Sequence, residues 1–105
     1  MQVDFLVQAR RHADAGELGQ ALAGCQAQLE QAGPSADLFS LMGVIHQARR
    51  EEAEAVACFR KALYLEPNHD EALLHLMLLY QQKGDEAGAA LLRRRLERKT
   101  AGGEP

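Results

Sequence analysis

The chain has 105 residues, 47% of them hydrophobic and 26% charged, with a net charge of −3. That is enough for one modest domain, too apolar for a disordered segment, and of the wrong sign for a nucleic-acid binder. Ala and Leu dominate, Val, Ile and Thr are scarce and Trp is absent, a balance that favours helix over strand.

The opening "MQVDFLVQARRHA" has Asp4 before a very short apolar run, so it lacks the core of a signal peptide. It reads as a first helix ending near Gly16, where glycine accepts left-handed cap geometry. A second helix starts at once, with Glu17 at its positive N-terminal end. Ser35 is the expected N-cap of a third, whose Leu38, Leu41, Met42 and Ile45 share one face. Gly43 inside that helix costs about 1 kcal/mol against alanine, and close approach of the next helix at Ala55 is its expected return. Ala9 and Ala21 face each other in the same way. A fourth helix, beginning near Glu51, presents Val56, Phe59, Ala62 and Leu63.

Pro67-Asn68 then stops the chain. Asn68, with Glu71 three residues on, resembles a capping box for a fifth helix. Leu73, Leu76, Met77 and Tyr80 of that helix suit a core, which leaves Leu74 and Leu78 on another face. The apolar run from Ala72 to Tyr80 is broken by His75 and falls far short of the roughly 20 residues that span a bilayer. After Gly84 and Asp85, "AALLRRRLERKT" makes a last helix with a polar outer face and a basic end that complements the helix dipole.

The strongest signal is internal. Shifted by 34 residues, Phe5 falls on Phe39 and Leu73, and Ala9 on Gly43. His12 falls on His46 and Tyr80, Gly16 on Arg50 and Gly84, Ala21 on Ala55 and Ala89, and Leu29 on Leu63. The units run 2–35, 36–69 and 70–103 within a single domain 1–105, with 101–105 as a frayed tail. Three units are about the minimum for a stable stack, so the chain reads as a small complete array or a fragment cut to one. Met1 directly inside the first helix suggests trimming, and "TAGGEP" looks like a natural C-terminus.

Catalytic and metal readings are weak. Glu71 and His75 share a helix face with His69 nearby, but a metal needs three or four converging ligands. No catalytic, cofactor-binding or metal-binding residue is assigned. His12 and His46 occupy a position that suits packing, and no nucleophile constellation or phosphate loop is present. Cys25 and Cys58 lack zinc or redox spacing and read as free, packed thiols in a reducing compartment. In the run Arg93, Arg94, Arg95, Arg98 and Lys99, the residues Arg94 and Arg98 are candidates for electrostatic docking of an acidic partner.

Phe39, Met42-Gly43, His46, Ala55, Phe59, Ala62 and Pro67 together resemble the pattern of the tetratricopeptide repeat (TPR), and the resemblance covers nearly the whole chain. It implies an all-α fold, a right-handed α-solenoid of three helix-turn-helix units with six antiparallel helices. Three departures stand out. Arg50 replaces a small turn residue, so that corner is expected to be strained or slightly open. Met77 replaces a glycine-like residue, so the third pair is expected to sit farther apart, and Arg93 stands where an aromatic is common.

In TPR arrays the first helix of each unit lines a concave groove. Carried over, the groove holds Val3, Leu6 and Arg10, then Asp37, Ser40, Val44 and Gln47, then Glu71, Leu74, Leu78 and Gln81. Such a face either binds a peptide or helix or is covered by a further segment. "ALYLEPNHDEALLHL" and "QQKGDEAGAALLRRRLER" are further similar to TPR regions appended to CheR-type chemoreceptor methyltransferases. That resemblance implies a non-catalytic docking module in a cytoplasmic, surface-sensing signalling pathway. The S-adenosylmethionine-dependent glutamate methylation would belong to a separate domain, and this chain would need no cofactor. The implied partner is a chemoreceptor cytoplasmic region or another signalling protein, with no nucleic acid and no membrane insertion, and the chain a monomer or weak dimer. A free-standing TPR adaptor or secretion chaperone holding an extended peptide is the alternative.

Overall fold

The computed structural model describes residues 4–102 and consists of six helices: α1 (Phe5–Asp14), α2 (Leu18–Ala32), α3 (Ala36–Ala48), α4 (Glu52–Leu65), α5 (Asp70–Gln82) and α6 (Glu86–Gly102). The all-α array expected from the repeat is therefore present, as sequential packed pairs α1–α2, α3–α4 and α5–α6. α6 continues through Ala101 and Gly102, the first two residues of the expected tail.

Each pair turns on the same corner. The N–H groups of Glu17, Glu51 and Asp85 donate to the carbonyls of His12, His46 and Tyr80 at 2.8, 2.9 and 2.8 Å. One residue earlier, the N–H groups of Gly16, Arg50 and Gly84 donate to Ala13, Gln47 and Gln81 at 3.0, 3.0 and 3.1 Å. This double closure is a Schellman motif, and it demands a left-handed residue at its centre. Gly16 and Gly84 take φ of 80° and 82°, and Arg50 is forced to 63°, the one positive-φ residue other than glycine among those described. The strain expected at Arg50 is thus present.

The corners between pairs are made differently. Ser35 caps α3 as expected, its Oγ accepting from the Leu38 N–H at 3.1 Å. At α5 the cap is His69, not Asn68: its Nδ1 accepts from the Ala72 N–H at 3.2 Å. The chain needs an extra residue after Pro67 to turn, with the His69 N–H bonded to the Glu66 carbonyl at 3.0 Å, so the cap falls one position later. The capping box of Asn68 with Glu71 does not form; the Glu71 carboxylate pairs elsewhere.

Packing divides the array into two cores. Ala9, Ala21, Cys25, Leu38, Leu41 and Ile45 form one between α1, α2 and α3. Phe59, Ala62, Leu63, Leu73, Leu76, Leu79 and Leu92 anchor the other between α4, α5 and α6. α1 packs on α3 and α3 on α5, whereas α2, α4 and α6 do not pack on one another. An inner layer in mutual contact and an outer layer splayed apart give the stack its curvature.

Gly43 has a more specific role than expected. A methyl group there would meet the Phe59 ring at 2.6 to 2.8 Å, so the glycine makes room for an aromatic rather than for Ala55. In the third pair Met77 is half-buried and Arg93 exposed, so the bulk moves from the outer to the inner helix.

Two consequences can be measured by urea denaturation. Gly43→Ala should destabilise by about 1–3 kcal/mol from overpacking against Phe59, despite a helix-propensity gain of about 1 kcal/mol. Arg50→Gly should stabilise by up to about 1 kcal/mol by releasing the left-handed strain, with no change in helicity by circular dichroism.

Candidate docking surfaces

The inner layer gathers several of the groove residues named from the sequence. Leu6, Arg10 and Asp37 line one shallow hollow with Val7, Arg11 and Asp14. Arg10 reaches across α3 to Glu71, Nη1 to Oε1 3.8 Å, which ties the first pair to the third. Both side chains are substantially exposed, so the pair contributes little to stability and can open at little cost. Asp37 is engaged from the other side by His69, whose Nε2 lies 2.6 Å from Oδ1. With Nδ1 accepting from the Ala72 N–H, the hydrogen on Nε2 donates to the carboxylate, and one neutral tautomer satisfies both contacts.

Leu74 and Leu78 stand 44% and 38% exposed on α5, one helical turn apart. Gln47 and Gln81 are half-buried. One other member of the expected groove is not available as surface, and a second is partly engaged. Ser40 is fully buried, and its Oγ has no hydrogen-bond partner among the described residues. Val44 is half-buried and packs against the second core. Among the described residues α3 meets an inner helix on either side, α1 and α5, whereas α5 meets only one, α3. Val3 lies outside the described residues.

The polar residues at the corners are structural. His75 stacks on Phe59, ring centroids 5.5 Å apart and nearly parallel, which accounts for its place on the Glu71 face. No group of three or more His, Cys, Asp or Glu suited to a metal converges among the described residues. His12 Nδ1 lies 3.0 Å from the Glu17 carboxylate and His46 Nδ1 2.9 Å from that of Glu51, which also takes Arg49 at 3.1 Å. These pairs brace the first two corners. The third replaces them with Tyr80, which accepts from Arg60 at 2.8 Å, and Asp85, which accepts from the Gly88 N–H at 2.8 Å. The recurrence of both His and Glu at the 34-residue interval was the signal for these pairs in the sequence.

The basic run of α6 divides by function. Arg95 donates to the Pro67 carbonyl, and Lys99 donates to the Asn68 carbonyl at 2.6 Å and pairs with Asp70 at 2.8 Å. These two clamp the α4–α5 corner. Arg94 is exposed, and Arg98 lines the hollow beside that corner with Pro67 and Asn68.

Cys25 and Cys58 are buried free thiols, as their spacing suggested. Burial, aided by Cys58 and opposed by Arg10, pushes the Cys25 thiol from 9.0 up to about 11, and burial likewise raises Cys58. A raised thiol pKa means that the unfolded chain ionises first. Stability from Cys25 is therefore complete below pH 9.0 and is lost as pH rises towards about 11. Thermal melts should show this alkaline loss, and Cys25→Ala should flatten it. Native-state alkylation at neutral pH should be slow for both thiols and become fast in denaturant.

No helix of the described residues is long and apolar enough to cross a membrane. The family model described as tetratricopeptide repeat matches residues 2–102. Over 88 residues, 84% of this chain, the sequence is 48% identical to a Pseudomonas aeruginosa protein named probable biofilm formation methyltransferase WspC. A Pseudomonas putida protein of the same name is 41% identical over 95 residues, 90% of this chain. The matches take up 21% and 22% of those two proteins, so the chain spans about a fifth of the length of these relatives. With the model matched almost from end to end and the helices paired at its period, the chain belongs to the tetratricopeptide repeat family.

Proposed function

We propose that the chain is the docking module of a CheR-type chemoreceptor glutamate methyltransferase in a bacterial surface-sensing pathway, acting in the cytoplasm. The likeness to the WspC methyltransferases supports the setting. The observation that carries the docking role is the inner layer, where exposed Leu74 and Leu78 lie on the same helix as Glu71, whose Arg10 partner comes from the far end of the array. An apolar pair beside separable charges suits a segment of a receptor's cytoplasmic region or of another signalling protein. Methyl transfer and S-adenosylmethionine binding belong, in this reading, to a separate domain, and this chain contributes position rather than chemistry.

The test is titration calorimetry of the chain against receptor cytoplasmic fragments. Leu74→Arg should weaken binding at least about tenfold, as expected for an apolar anchor. Its stability should stay within about 0.5 kcal/mol of the parent, because the side chain is already open to solvent. Normal binding by this variant would remove the inner face from consideration. Val44→Arg is a poorer probe, since Val44 also packs against the core.

A further inference from the structure

The outer layer holds a second surface of different character. α5 packs on both α4 and α6, but those two helices do not pack on each other, and a hollow of about 550 Å³ opens between them. Its floor is the edge of the second core, Leu63, Leu76 and Leu92. Leu91 stands 60% exposed on its wall. Arg60, Arg95 and Arg98 surround it.

Among the described residues, no ion pair joins Arg60, Arg95 or Arg98 to a carboxylate, and the lining carries three arginines to one aspartate. Arg60 donates to the neutral Tyr80 hydroxyl, and Arg95 to the Pro67 carbonyl. Asp85, the one carboxylate lining it, is engaged as the cap of α6 through the Gly88 N–H. Arg95 and Arg98 also line the adjoining hollow, where Lys99 is itself paired with Asp70, so the two arginines carry the positive field past the apolar floor.

The repeat supplies an internal comparison. Shifted back by 34 residues, Arg60, Arg95 and Arg98 become Gln26, Lys61 and Tyr64, and Asp85 and Gly88 become Glu51 and Glu54. Leu91 becomes Ala57. The earlier interval therefore has one lysine against two glutamates where this one has three arginines against one aspartate. Three arginines around one groove, in a chain whose net charge is −3, are specific to the interval between α4 and α6 and are not a general property of the array.

We propose that the groove between α4 and α6 is a second docking surface, which takes an acidic amphipathic helix of a partner protein, its leucine-like side chains on Leu63, Leu91 and Leu92 and its carboxylates on Arg60 and Arg98. The occupant follows from complementarity: an apolar strip calls for a spaced apolar face, and the arginine fork binds carboxylates in paired hydrogen bonds. Of the two basic residues singled out in the sequence, Arg98 belongs to this surface and Arg94 does not line it. The proposal rests on the chain being a docking module but not on the inner face being used.

The probe is a synthetic peptide with leucines at i, i+3, i+4 and i+7 and glutamates between them, compared with a scrambled peptide of equal composition. Methyl-labelled NMR of the whole chain should show shifts at Leu63, Leu91 and Leu92, with the scrambled peptide binding at least about tenfold more weakly. Leu91→Asp and Arg98→Glu should each weaken the ordered peptide by about tenfold or more, whereas Arg94→Glu should change it by less than about threefold. Equal binding of the two peptides, shifts centred on Leu74 and Leu78, no binding, or self-association of the chain through Leu91 would each overturn the proposal. A receptor fragment that is lost with Leu74→Arg yet unaffected by Leu91→Asp would support the inner face alone, so the two surfaces can fail separately.

Discussion

Everything in this array hangs on the doubly closed corner inside each helix pair. Two backbone hydrogen bonds, one to the carbonyl five residues back and one to the carbonyl three residues back, reverse the chain within a single left-handed residue. Because the closure is so short, the paired helices must lie against each other from the first turn. That proximity is why Ala9, Ala21 and Ala55 are fully buried and why a ring at position 59 needs a glycine opposite. At the second corner the geometry is kept even though arginine has to adopt it, with Glu51 held by His46 and Arg49 just beyond the strained residue.

The links between pairs are looser, and both proposed docking surfaces lie there. Inner helices touch each other and outer helices do not, so each interval between pairs has a tight side and an open side. On the tight side, Arg10, Asp37, His69 and Glu71 connect all three pairs through exposed or half-exposed polar contacts. On the open side, the wedge between α4 and α6 exposes the edge of a core beneath arginines. Arg95 and Lys99 tie α6 to the Pro67–Asp70 corner at one end of that wedge.

The fold was largely legible in the sequence because it is periodic. A repeat that never slips places the corner inside each pair three times over and the small-residue close approach twice, so each copy supports the reading of the others. The misreadings fell where a position depends on one local solution. His69 rather than Asn68 caps α5 because the proline turn takes one more residue, and a histidine acceptor is an uncommon cap that propensity does not anticipate. Ser40 enters the expected groove only through the register carried over from the TPR resemblance; packing of α3 buries it with no partner for its hydroxyl among the described residues. A glycine inside α3 signals a close approach, but that Phe59 makes it depends on how α4 packs.

By itself, then, the sequence determined the helix pairs, the corners within them and the apolar faces that build the cores, since these follow from spacing, turn chemistry and a self-consistent period. Only the tertiary structure decided which polar and apolar side chains reach solvent. Packing between the helices makes that choice: it buries Ser40, leaves Leu74 and Leu78 exposed, and holds Arg95 on a carbonyl at the edge of the groove that Arg98 also lines. Residues four apart on one helix share a face in any sequence, but whether a neighbouring helix lies over that face is settled by long-range packing.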